Sequence, residues 1–274
     1  MIFITGATGL LGSFICRDLL KKGYKIRAIK RQNSRMTLLE DITDQIDWVV
    51  GNMDDTSFLE AALQGIDAVI HGAAIISFDK RDEPSMFKTN VQGTADLVNA
   101  CLRVGIKNYT HISSVAALGR KPNQININEN DRWEGTEYDS IYSRSKHLSE
   151  LEVWRGAQEG LEVKIVNPSV VLGPGIWKKG STSVFKYAFD EKTYYPSGTV
   201  NFVDVRDVSR AIIQLMESNI TNERFVLNGG NMLYGKFFGK IAKAFGKKAP
   251  TKPAPVFLLK LAVSFEFLRS RIKG

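Results

Sequence analysis

The stretch YSRSK places Tyr142 and Lys146 four residues apart. On a helix that spacing sets both side chains on one face, one turn from each other. Such a pair can exchange a proton with a carbonyl or alcohol oxygen. A free phenol titrates near ~10, a poor match to neutral pH, and a neighbouring cation draws it toward the phenolate. Spacing alone says little in a chain with eight tyrosines and many lysines. Position gives it weight. Upstream, HISSVAALG ends a β-type run with Ser113 and Ser114. Hydroxyls there stand at the carboxyl edge of a strand, where ligands bind in open α/β sheets.

The elements that must position these residues alternate along the chain. MIFIT, YKIRAIK, IDWVV, DAVIH, NYTHIS and LEVKIV read as six short apolar strands. Helices are predicted from Leu10 to Lys22, from Pro84 to about Arg103, and from about Ser140 to Glu159. This rhythm predicts right-handed βαβ units and an α/β fold: a doubly wound parallel sheet of the Rossmann type, covered on both faces. After Val166 the rhythm changes and turns such as NPS, GPG and YPSG interrupt shorter elements. Residues 1–166 are therefore read as one domain built on this sheet. Residues 167–274 are read as mainly a small substrate-binding portion, with a segment of about 200–228 returning to the sheet.

ITGATGLLG, residues 4–12, joins the first strand to the first helix. Gly6 and Gly9 leave the backbone bare enough to approach a pyrophosphate, and Gly12 lets the helix pack on the strand. The N–H groups at the helix start face the anion, so Gly6, Thr8, Gly9, Leu10 and Leu11 are cofactor-contact candidates. An NAD-type site commonly carries an acid ~20 residues further on. No Asp or Glu occurs here between Asp18 and Glu40, and the second strand ends in Lys30 and Arg31, with Arg35 following. These cations suit a 2′-phosphate, which favours NADP(H) over NAD(H).

The GxxGxxG spacing, the YSRSK pair and the serines of SSVAALG together resemble the extended short-chain dehydrogenase/reductase superfamily. The similarity is to its NAD-dependent epimerase/dehydratases and dihydroflavonol-reductase-like enzymes, from Ile4 to about Ala211. The resemblance implies a Ser–Tyr–Lys triad in which Ser114 holds the substrate oxygen. Tyr142 would then act as acid or base, and Lys146 would bond the nicotinamide ribose. It ties Asn90, in KTNVQGT, to a water-mediated proton path, with a helix-packing amide as the alternative. It places Asn52 and Met53 beside the adenine, although relatives more often carry Asp where Asn52 stands. It runs HGAA (His71, Gly72, Ala73, Ala74) under the cofactor and Pro168, Ser169 and Val170 past the carboxamide. The ring of His71 itself reads as a satisfied buried histidine. In VDVRDVSRAI, Val203 would lie near the site, while Asp204, Arg206 and Asp207 read as caps and ion pairs.

The implied activity is hydride transfer between a nicotinamide cofactor and a ketone or secondary alcohol. A nucleotide-sugar epimerase or dehydratase retaining NAD is the alternative, and a non-catalytic NADP(H)-binding redox sensor is a third reading. Substrate choice is expected in residues 75–86, 119–139 and 173–202, which offer Phe78, Trp133, Trp177, Lys178, Lys179, Lys186, Tyr194 and Tyr195.

Composition narrows the rest. The chain has 274 residues and a net charge of +8, but no recognition helix, zinc spacing or aromatic RNA-binding motif accompanies that charge. A small-molecule substrate is the expected partner, with a homodimer compatible and neither nucleic acid nor membrane expected. Cys16 and Cys101 read as buried thiols. His71, His111 and His147 are far apart in sequence and lack ligand spacing, so no metal site is expected. A soluble cytoplasmic protein is the default expectation. The segment from Pro255 reads as a terminal amphipathic helix.

Overall fold

The computed structural model describes residues 1–119, 124, 126–136, 139–177 and 180–255. The chain divides into two units, residues 1–175 with 202–229, and residues 176–201 with 230–274.

In the first unit the order is β1 (Ile2–Thr5), α1 (Leu10–Lys21), β2 (Ile26–Lys30), β3 (Asp47–Val50), α2 (Thr56–Ala62) and β4 (Ala68–His71). Then come α3 (Glu83–Phe87), α4 (Gly93–Val104), β5 (Asn108–Ile112), α5 (Ile141–Gln158), β6 (Glu162–Pro168) and β7 (Val170–Leu172). Seven strands form one sheet in the order β10-β6-β5-β4-β1-β2-β3, where β10 is Glu223–Leu227. All six pairings are parallel. The strand order reverses between β1 and β4, which opens a crevice at their carboxyl ends.

Alternation along β1 explains why both faces are covered. Ile2 and Ile4 join a core with Ile15 and Leu19 of α1 and Val208, Ile212 and Ile213. Phe3 points the other way, into a core with Leu59, Leu97, Tyr109 and Val153. Each such side chain, fully removed from water, contributes about 1.5–3 kcal/mol.

The single helix expected after Pro84 is broken. A π-turn over Lys88–Gln92 separates α3 from α4. The wider turn carries Asn90 inward, where it is buried and bonds a neighbouring loop. Such bulges concentrate at functional sites.

The second unit holds α6 (Ser183–Phe189), β8 (Tyr194–Tyr195), the start of β9 (Thr199–Asp204), β11 (Gly230–Leu233), α8 (Tyr234–Ala244) and β12 (Lys252–Pro253). β9 enters the first unit at Phe202, where it pairs with β7, and α7 (Val205–Glu217) follows. Trp177 packs on Phe189 and Phe245 at ring separations of 5.6 and 5.1 Å. Beside it lies a cavity of about 550 Å³ lined by Trp177, Tyr187, Tyr195, Phe238 and Lys186 among others. The boundary expected after residue 166 falls inside β6, so the strand and β7 carry the first unit on to Gly175. Lys178, Lys179 and the terminal segment expected to be helical lie outside the described residues.

Candidate active site

Three neighbouring strand ends build the site. Thr5 ends β1, and its hydroxyl is shared by the next strand over. Thr5 Oγ1 lies 2.6 Å from His71 Nδ1 and accepts from the Gly72 and Ala73 amides at 3.1 and 3.0 Å. His71 Nε2 bonds Thr94 Oγ1 at 2.9 Å. Burial, then the Lys146 charge, lower the pKa of His71 to about 3. Both ring nitrogens are occupied, so His71 offers a cofactor only its backbone. Ala74 is exposed at the crevice.

The glycine turn divides its labour differently from the sequence expectation. Gly6 sits at φ +76°, and a Cβ there would meet Gly72 C at 2.6 Å, so it is required by its own neighbour strand. A Cβ on Gly12 would meet Gly6 O at 2.2 Å, as close helix packing requires. At Gly9 a Cβ would meet only Gly6 O, at 3.3 Å, and the residue is exposed. It is Gly9 that keeps the approach to α1 clear. No side chain caps α1 and no acid lies in its first turn. The N–H groups of Leu10 and Leu11 therefore remain open to an anion.

At the end of β2, Lys30 Nζ stands 5.7 Å over the ring of Trp48. Arg31 and Arg35 are exposed, and among the described residues neither guanidinium is in an ion pair. Asn52 is exposed, and Met53 packs toward Gly93. Pro168 and Ser169 are buried, and Val170 is exposed. Ser169 Oγ is buried without a hydrogen-bond partner among the described residues. An open helix start, unpaired arginines and an orphaned hydroxyl fit a dinucleotide phosphate, a 2′-phosphate and a carboxamide, respectively.

Ser114 follows β5 and caps a short turn by accepting from Ala116 N at 3.1 Å. Burial raises the Tyr142 phenol on α5 above its ordinary value, and the nearby Ser114 hydroxyl opposes the rise. The expected depression is thus reversed in direction, because desolvation is the largest influence. Lys146 lies one turn on, fully buried, donating to Ile112 O at 2.9 Å with His111 Nε2 at 3.5 Å. Burial lowers Lys146 to about 8, against the attraction of Glu150.

Asn90 accepts from Ile75 N at 2.7 Å and donates to Ile75 O at 2.9 Å and Ser145 Oγ at 3.0 Å. Its amide clamps the 75–79 loop to α5. Phe78 of that loop is 75% exposed, yet its ring lies edge-on to Tyr142 at 6.2 Å. Trp133 stacks on His147 at 4.7 Å. His71 and His111, distant in sequence, face each other at 5.2 Å. Among the described residues no three metal-ligating side chains converge. Val203 is buried, Asp204 caps α7 through Arg206 N, and Asp207 pairs with Arg210.

Sequence reasoning missed Thr5 and Glu150. The signal for Glu150 was present: Tyr142, Lys146 and Glu150 recur every four residues on the inward face of one helix.

Residues 2–228 match the NAD dependent epimerase/dehydratase family. A putative dihydroflavonol 4-reductase of Synechocystis sp. is 30% identical over 262 residues, covering 93% of this chain and 76% of that protein. Cinnamoyl-CoA reductase 1 of Oryza sativa subsp. japonica is 26% identical over 288 residues, covering 100% of this chain and 84% of that one. The crystal structure of gox2253 superposes with a TM-score of 0.86 at 29% identity, covering 100% of this chain and 83% of that one. Among the described residues no helix is long and apolar enough to cross a membrane. With a parallel seven-stranded sheet and this family match, the chain belongs to the NAD-dependent epimerase/dehydratase family, NAD(P)-dependent enzymes of the extended short-chain dehydrogenase/reductase type.

Proposed function

We propose that this enzyme reduces a ketone or aldehyde carbonyl, with NADP(H) as its cofactor and Ser114, Tyr142 and Lys146 as the reacting side chains. The observation that carries the reading is α5 itself, which sets Tyr142 beside Ser114 and buries Lys146 one turn further on. The bound dihydronicotinamide supplies the hydride. Ser114 holds the carbonyl oxygen; the amide of Ala116 already fixes its hydroxyl. As charge builds on that oxygen, Tyr142 Oη gives up its proton. A phenol raised by burial stays protonated at neutral pH, which suits donation. The Lys146 ammonium then steadies the phenolate left behind. In the reverse direction the same phenolate is the base.

The helix start at Leu10 and Leu11 takes the pyrophosphate, and Ser169 takes the carboxamide side. Arg31 and Arg35 favour the 2′-phosphate, with no acid nearby to prefer a bare ribose. Both relatives described above bear the names of reductases.

The test is Tyr142→Phe. NADPH consumption with a panel of aryl ketones and aldehydes should fall by about 10²–10⁴-fold. NADPH binding by fluorescence titration should stay within about twofold, since Tyr142 does its work on the substrate oxygen. Retained turnover would overturn the reading.

A further inference from the structure

Glu150 lies one turn beyond Lys146 on α5 and is 1% exposed. Its carboxylate accepts from Ser113 Oγ, from Asn167 Nδ2 at 2.6 Å and from Arg224 Nη1 at 3.1 Å. Asn167 Nδ2 also donates to the carbonyl oxygen of Ser114 at 2.9 Å. Arg224 continues to the carbonyl oxygen of Glu129, while Glu129 Oε1 accepts from Val226 N at 2.8 Å. One side chain therefore joins α5, the ends of β5 and β6, strand β10 and the loop at residue 129. All of these lie in the first unit.

A buried carboxylate is an expensive way to fill space. Desolvation costs several kcal/mol per ion, and an apolar residue of similar size would often be as stable. Two of the groups it touches, and its neighbour on the helix, sit next to the proposed reacting residues. Ser113 immediately precedes Ser114. Asn167 precedes Pro168 and Ser169. Lys146 is on the same face of the same helix.

We propose that Glu150 is a positioning residue for hydride transfer: its buried carboxylate fixes the backbone carrying Ser114 against the helix carrying Tyr142 and Lys146. The proposal rests on the Ser114–Tyr142–Lys146 reading above. The charged and titratable groups around this carboxylate are Lys146 and His147 on α5 and Arg224 on β10, whose guanidinium also donates to the main-chain carbonyls of Glu129 and Asp131. His111 of β5 reaches it only through Lys146. Arg224 is the cation it pairs with, and Lys146 stands one helical turn away.

Two variants separate geometry from charge. Glu150→Gln keeps the length and removes the charge; Glu150→Asp keeps the charge and withdraws it by one methylene. Both should lower kcat for NADPH-dependent ketone reduction by about tenfold to a hundredfold, with NADPH affinity unchanged, because the reacting groups are misplaced. Wild-type kcat in either variant, or a kcat loss no larger than the loss of NADPH affinity, overturns the proposal. If Glu150→Gln does not fold, Glu150→Asp decides alone: a lowered kcat with unchanged NADPH affinity supports it, and wild-type kcat overturns it. An active Tyr142→Phe would instead overturn the triad reading, whatever Glu150 does.

Discussion

Thr5 Oγ1 lies 2.6 Å from Nδ1 of His71 and ties the ends of β1 and β4 together at the point where the sheet order reverses. The imidazole is buried, and its pKa is lowered to about 3 by burial and then by Lys146. Its native form is therefore neutral. Between about 6.5 and 3 the unfolded chain takes up a proton that the native state refuses. Stability falls as pH drops through that window, by about 1.4 kcal/mol per unit for this one group. His71→Gln should flatten the dependence. Urea unfolding at pH 7 and pH 4.5 checks it; equal losses in wild type and variant would show that His71 does not contribute.

The glycines should separate by substitution. Gly6→Ala meets both a positive φ and the backbone of Gly72, and should lose more than about 1 kcal/mol of stability. Gly9→Ala has only a 3.3 Å contact with Gly6 O and should fold nearly as wild type. Its methyl group stands at the open helix start, so cofactor affinity should drop about tenfold or more. Thermal unfolding and NADPH titration together give the comparison. Equal effects of the two on stability would contradict it.

Arg31 and Arg35 should govern cofactor choice. Arg31→Ala or Arg35→Ala should weaken NADPH about tenfold, the size of one charge-assisted hydrogen bond, and leave NADH unchanged. Parallel losses for both cofactors would place the arginines elsewhere than at a 2′-phosphate.

Phe78 is an exposed aromatic that lies edge-on to Tyr142 at 6.2 Å. Phe78→Ala should raise KM for aryl ketones about threefold to tenfold and change kcat little, removing apolar cover worth about 1 kcal/mol. A fall in kcat with constant KM would assign the ring to Tyr142 rather than to substrate.

The sequence by itself determined the sheet and marked Tyr142 and Lys146 as a candidate pair, because both are written in short-range spacing. Alternation along Ile2, Phe3 and Ile4 feeds two cores, and a four-residue interval on a helix sets Tyr142 and Lys146 on one face. The tertiary structure decided what long-range contact decides. Gly6 is glycine because Gly72 lies against it from a strand more than sixty residues away. Asn90 turns to clamp Ile75 because a π-turn breaks its helix. Tyr142 is raised rather than lowered because desolvation outweighs nearby charge, and burial cannot be read from spacing. Glu150 looks like a solvated helix charge until Ser113, Asn167 and Arg224 converge on it from three strands. Local pattern fixes which residues share a face; only packing fixes what that face meets and how much water is left there.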